Sequence, residues 1–429
     1  MKKVTAFFVS ALVAVSALSL TACGEQSQQG QTKETEFTPR LDTNTTTTLD
    51  IAGFMGNFEA LDYVINGFNE IYQNVTIFYD ENSAYMLPDY LENNKNVDIF
   101  MTADENFQRP GYQGYDVADQ CLDLSKDIDL SAVRSEVLSF GQKDGKQVQL
   151  PMAMNAFGVV VNKTLLEQEG LSVPKNYEEF LSTLEVLKEK GYTPLQGSDQ
   201  HLYGELLLNE MMNILHDDPQ VLADLMAGKE SAADALLPSF QKLDTIVEKG
   251  YTDYELNQTY PTDNYDGSIM AFFEGDMPFY VCSAECVSGM KKRESKSEAY
   301  TANPFEYEFL YTPDGTTGTY GYSEPWYGFS IYKDSDDIEV AEEFLRYMAQ
   351  ESNLNAMADI KGLPSVTNSG TDERYTAMKA QEIQENFSND GSVPEVVSTV
   401  LKQVAAKYGA GKYKTPEEAA KDCAALLAQ

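Results

Sequence analysis

Few residues in this 429-residue chain have the type and spacing to do chemistry, and those few suit recognition better than catalysis. Trp326 and Tyr327 stand in tandem before an apolar run. Asn155 is the one polar side chain between Leu150 and Val161 in LPMAMNAFGVVVNK (residues 150–163). Phe54, Asp80, Asp104 and Asn106 each follow a short β-branched or apolar run. Aromatic rings can cover apolar faces, while amides and carboxylates accept and donate around them. Catalytic spacings fail. Gly328-Phe329-Ser330-Ile331-Tyr332 and Gly321-Tyr322-Ser323-Glu324-Pro325 both miss the last glycine of a nucleophile elbow. There is no H-E-x-x-H, no phosphate-cradling G-x-x-x-x-G-K-[ST] and no G-x-G-x-x-G. Asn264-Tyr265-Asp266-Gly267 has calcium-loop character, but Phe273 stands where a bidentate Glu is needed. The chain has only two histidines, His201 and His216, so a zinc site with the cysteines is not supported. Neither a metal nor a cofactor is expected. With 68 Asp and Glu, a pair at glycosidase spacing arises by chance, so a glycan hydrolase stays open as an alternative.

The elements that position these residues follow from periodicity. A strand over 45–51 is predicted, then a helix capped by Asn57 with Phe58, Leu61, Ile65, Phe68 and Tyr72 on one face. Strands over 75–79 and 97–101, with a short helix over 85–93 between them, complete a βαβαβ start. That pattern makes a parallel sheet covered on both faces, whose ligands bind beyond the carboxyl ends of the strands. Residues 150–163 read as a proline-containing turn running into a buried strand. They are either an ordinary strand or a crossover between domains, and 429 residues favour two domains. Asn176 and Glu179 form a capping-box pair for the next helix, and Thr415, Pro416 and Glu418 do so for the last. Helices are also expected from His201, over 236–249 and after Asp337. Cys282 and Cys286, four apart, could share a helix face. They, Cys121 and Cys423 read as buried thiols.

The formal net charge of −37 argues against binding nucleic acid or anionic lipid through the folded surface. Lys2-Lys3 and the apolar stretch 4–20 form the n- and h-regions of a signal peptide, ending in Leu20-Thr21-Ala22-Cys23. That ending resembles the lipobox of bacterial lipoproteins, which implies a diacylglycerol on Cys23 and anchoring to the outer face of the cell membrane. Residues 23–47, polar and poor in large apolar side chains, are predicted to be a disordered tether.

The ordered blocks resemble the extracellular solute-binding proteins of bacterial ABC transporters, within the carbohydrate-binding family that includes maltose-binding protein. LPMAMNAFGVVVNKTLLEQEGLSVPKNYEEFLSTLEVLKEKGYTPL is similar to the family's crossover, strand and following helix, with Asn176-Tyr177 in place of Thr-Trp. FFEGDMPFYVCSAEC, WYGFSIYKDSDDIEVAEEFLRYM and the loop closing 346–364 are similar to later family blocks. The resemblance implies an α/β, two-lobe type II periplasmic-binding-protein-like fold with the ligand cleft between lobes. It implies one lobe from 48–155 and 312–350, a second from 156–311 and 351–429, and a signal peptide at 1–22. It also implies a monomer without enzymatic activity that passes a carbohydrate, an oligosaccharide, to a permease partnered by a cytoplasmic ATPase. A pyranose has an apolar face and a hydroxyl rim, so Trp326 and Tyr327 are the expected stacking rings. Asn155 falls at the family's polar crossover position, and His201, with Tyr203 close by, near its frequent aromatic. Glu285 falls where the family usually has Trp. That leaves a more polar ligand, a smaller glycan or a non-sugar solute open.

Overall fold

The computed structural model describes residues 37–53, 58–80, 90, 93, 96–102, 117–260, 266–312, 323–369, 393 and 395–428. Residues 37–46, expected within the tether, are held in place. The Phe37 ring meets Tyr347 edge-on at 5.2 Å under the Arg346 guanidinium, and the Arg40 N–H donates to Glu343 Oε1 at 2.8 Å. Arg346 Nη2 also donates to Thr38 O at 2.7 Å and Arg40 Nη1 to Asp127 O at 2.7 Å, so a stretch whose composition alone reads as disordered is docked.

β1 (Thr47–Ala52) buries Leu49 and Ile51, and α1 (Glu59–Ile71) buries Leu61, Val64 and Phe68 at helical spacing. Phe58 stands at the N-cap of α1 and makes no side-chain cap bond; the expected Asn57 cap lies outside the described residues. β2 (Val75–Tyr79) and β3 (Ile99–Thr102) flank β1 in parallel, as the βαβαβ reading required. Most of the helix expected over 85–93 lies outside the described residues. β4 (Gln142–Lys143) and β5 (Lys146–Gln147) form a hairpin over Asp144-Gly145, both at positive φ. β6 (Leu150–Asn162) is a single strand of 13 residues, all buried; it is strand from its first residue, with no turn at Pro151, which lies inside it opposite Gly328.

α2 (Tyr177–Glu189) has the predicted cap. Asn176 Oδ1 accepts from the Glu179 N–H at 2.9 Å, while Glu179 Oε2 accepts from the Lys175 N–H at 2.9 Å, one residue before the cap. After β7 (Leu195–Gln196) come α3 (Asp199–Asp217), α4 (Pro219–Met226) and α5 (Glu230–Glu248). α5 starts earlier than expected and carries Pro238 inside it. α6 (Asp266–Phe272), β8 (Phe279–Ser283) and α7 (Ala284–Arg293) follow. Cys282 is therefore on a strand and Cys286 on a helix, not on one helix face. These two, Cys121 and Cys423 are all buried, and none of the four is in a disulfide. β9 (Tyr307–Tyr311) and β10 (Ser323–Ile331) precede α8 (Ile338–Met348) and α9 (Glu351–Lys361). Asp337, at the N-cap of α8, makes no side-chain bond to that helix; its Oδ1 accepts from Thr47 Oγ1 at 2.7 Å, tying the helix to β1. α10 (Glu395–Gly409) and α11 (Pro416–Leu427) end the described chain, with Thr415 capping α11 as predicted.

β6 belongs to two sheets. Residues 150–156 pair antiparallel with β10, which continues the order β2-β1-β3-β10-β6. Residues 157–162 pair antiparallel with β8 on one edge and β9 on the other, and β7 extends that sheet parallel to β8. One core runs beneath the first sheet and along β6 to one face of the second, where Val160, Tyr280 and Phe309 contribute. A second core covers the opposite face with Phe157, Val159 and Val161, alternate residues of the same strand, against α3, α5, α10 and α11. The stretch 351–369, expected with the second lobe, packs in the first core through Leu354, Met357 and Leu363, a core that residues of both sheets share. Val366 O accepts there from the Arg134 N–H at 3.1 Å. No described helix is long and apolar enough to cross a membrane.

Candidate functional site

The changeover point of β6 carries Asn155. Its register partner on β10 is Glu324, and its neighbour Phe157 lies opposite Ser283, where β8 ends and α7 begins. Helix N-termini leave backbone N–H groups unsatisfied, and Ser283 at the N-cap of α7 supplies no side-chain bond. Asn155 does so from across the chain. Its Oδ1 accepts from the Glu285 N–H at 3.2 Å and from the Ala156 N–H at 3.1 Å. Two N–H donors fix the oxygen at that position. The Asn155 Nδ2 group then remains as a donor without a partner among the described residues, on a side chain that is 8% exposed.

Trp326 and Tyr327 lie within β10, at a bulge between Pro325 and Gly328, rather than in a turn before it. Their rings meet at 4.5 Å and 69°. Phe58, from the start of α1, lies 6.0 Å from the Trp326 ring. The Lys361 ammonium, at the end of α9, sits 4.8 Å from the Trp326 centroid and 4.9 Å from that of Phe58. Such cation–π contacts contribute about 0.5–2 kcal/mol each. Lys361 is half-buried, and burial, with Lys292 adding to it, pushes its pKa down; Glu59 and Glu285 oppose the shift. Beside it, Lys292 Nζ on α7 reaches both Glu59 carboxylate oxygens on α1 at 3.1 Å. That contact holds the Glu59 carboxyl below its usual range. Trp326 is thus not an open platform: a lysine lies over its ring.

Asn155, Glu285, Trp326 and Tyr327 lie around β6 and its neighbours. Tyr203 does not join them. Its ring is buried in the second core, so close to Gly409 that a Cβ there would lie 2.4 Å from it, and burial raises its pKa. Asp80 is exposed at the end of edge strand β2, where its carboxylate accepts from the Tyr90 hydroxyl. His201 lies near the start of α3, with its side chain outside the described residues. Phe54, Asp104 and Asn106 are outside the described residues as well. Among the described residues, no group of three or more His, Cys, Asp or Glu is placed to hold a metal ion.

Residues 67–383 match the family of bacterial extracellular solute-binding proteins. The chain belongs to this family. A multiple sugar-binding protein of Streptococcus mutans is 22% identical to this solute-binding protein over 225 residues, a match covering 51% of each. The chain thus spans about half the length of the curated relative it matches. The fold is similar to that of a putative binding protein of Bacillus subtilis in an open conformation (15% identity, TM-score 0.66, 90% of this chain and 98% of that one). It is also similar to a Bacillus licheniformis sugar transporter protein in complex with stachyose (18%, 0.62, 89% and 99%). A third similar structure is a Bifidobacterium animalis subsp. lactis binding protein in complex with mannobiose (16%, 0.64, 90% and 95%). The solute-binding fold is the two-lobe type II arrangement, and family membership places this protein outside the cytoplasm.

Lys361, Glu59 and Lys292 are the site residues that sequence reading missed. Lys361 opens the Lys-Gly-Leu-Pro run that ends α9. Gly362 takes φ +68° there, and Pro364 O accepts from the Met154 N–H of β6 at 2.9 Å. The helix-stop signal was visible; that the stop docks beside Asn155 was not.

Proposed function

We propose that this solute-binding protein captures a carbohydrate, an oligosaccharide, between its lobes by hinge closure and delivers it to the permease of an ABC importer without catalysing any reaction. The observation that carries this reading is β6, one strand shared by two sheets, with Asn155 at the changeover and the Trp326–Tyr327 pair on the adjoining strand. Complexes of similar structures with stachyose and mannobiose support the ligand class. The first lobe comprises 48–155 with 312–369, and the second 156–311 with 393–428. Cys23 carries the lipid that anchors the chain. Calorimetric titration and thermal shift against stachyose, raffinose and mannobiose test the ligand. A bound sugar at a hundredfold excess over its Kd should add about 2.7 kcal/mol of stability. No shift across a wide sugar panel overturns the carbohydrate reading, and release of product from any glycan overturns the non-enzymatic one. Cys23→Ala should release the protein to the medium; retention at the membrane would refute the anchor.

A further inference from the structure

The chain has 68 acidic residues against 31 basic ones, so a half-buried lysine without a carboxylate partner stands out. Lys361 is such a residue: its ammonium lies over Trp326 and Phe58, and among the described residues it makes neither a hydrogen bond nor an ion pair. Two carboxylates act on it without pairing with it: Glu59, which Lys292 holds through both oxygens, and Glu285. The site's other unpartnered polar group, Asn155 Nδ2, is also a donor. A half-buried cation on two aromatic rings, with a spare amide donor on the strand its own loop binds, has no direct acceptor among the described residues; Glu59 and Glu285 act on it only through space. We infer that the ligand is an acidic sugar, a uronate-containing oligosaccharide, whose carboxylate is received by Lys361 between the rings of Trp326 and Phe58. The inference rests on the carbohydrate reading and narrows it. A carboxylate there compensates the buried ammonium, which is disfavoured as it stands by burial and by Lys292. Lys361 then selects for charge, and Trp326 orients Lys361 as well as shaping the ligand space.

Matched pairs of sugars test this on the folded protein: digalacturonate against galactobiose, and dimannuronate against mannobiose, titrated calorimetrically. A uronate dimer should bind about tenfold or more tighter than its neutral counterpart. Lys361→Met should remove that preference while the melting temperature of the unliganded protein stays near the parent's. Lys361→Gln, which keeps a polar group of similar length, serves if the Met variant fails to fold, and should lose the preference equally. Binding of the neutral dimers with no gain from the carboxylate overturns the inference and leaves the carbohydrate reading standing. A uronate preference that survives both substitutions also overturns it, because the carboxylate is then held elsewhere. If neither acidic nor neutral sugars bind, both readings fall together.

Discussion

At the scale of single residues, the two ends of the Asn155 amide differ. Its oxygen is a cap for α7 delivered from 130 residues away, and its nitrogen, which has no partner among the described residues, is the end proposed to meet the ligand. Losing an N-cap acceptor typically costs about 1 kcal/mol. Asn155→Ala should therefore lower stability by about that much in urea unfolding and weaken ligand binding as well. Asn155→Asp keeps the acceptor and places a negative charge at a helix N-terminus, where it is favourable. It should retain stability but lose the donor, so the two effects separate; equal instability of both variants would refute the cap. A second residue-scale prediction concerns Tyr72, whose hydroxyl donates to the buried Glu343 carboxylate. Burial, then Glu343, raises its pKa from 10 to about 12. The folded state therefore keeps a proton that the unfolded chain gives up first. This contribution is complete below pH 10 and is lost as pH rises to about 12. Tyr72→Phe should be less stable than the parent below pH 10, with the gap closing above it. A gap independent of pH across that window would show that the hydroxyl is not the coupled group.

At the scale of elements, the end of β1 is the tightest point near the cleft. Gly53 has φ +108°, and a Cβ built there would lie 1.9 Å from the Met101 carbonyl oxygen of β3. A backbone atom cannot rotate away as a side chain can. Gly53→Ala thus meets both a left-handed conformation and a clash, and should destabilise by about 1–3 kcal/mol or more. Denaturant titration checks it, and an unchanged midpoint would mean that β1 and β3 separate easily there. The same element shows what the chain made legible. The run Val159-Val160-Val161 marked β6 as a buried strand because β-branched alternation is local. Asn176-Glu179 and Thr415-Glu418 marked two helix starts because capping acts within four residues. Pro151 reads locally as a turn because nothing near it in the chain says that it pairs with Gly328, or that Pro364 would serve Met154. Lys361, Glu59 and Lys292 were invisible for the same reason: they meet only after α1, α7 and α9 have been brought together by the sheets. Phe37 and Arg40 docked a stretch that composition assigned to solvent.

At the scale of the whole molecule, α1 rides on the first sheet and α7 on the second, so the Glu59–Lys292 ion pair joins elements that the proposed hinge closure would move relative to each other. Both side chains are about half exposed, at 52% and 48%. An exposed pair contributes at most about 1 kcal/mol, a factor of about five in a closed-to-open ratio. The pair can bias closure but cannot hold it, so ligand contacts must supply the rest. Glu59→Gln should therefore weaken sugar binding by no more than about fivefold. It should also make affinity less sensitive to salt, because a screened contact has been removed. Small-angle scattering should still show contraction of the variant on saturation with sugar. A loss of a hundredfold or more would place Glu59 against the ligand itself, and failure to contract would mean that this pair, rather than the ligand, closes the lobes.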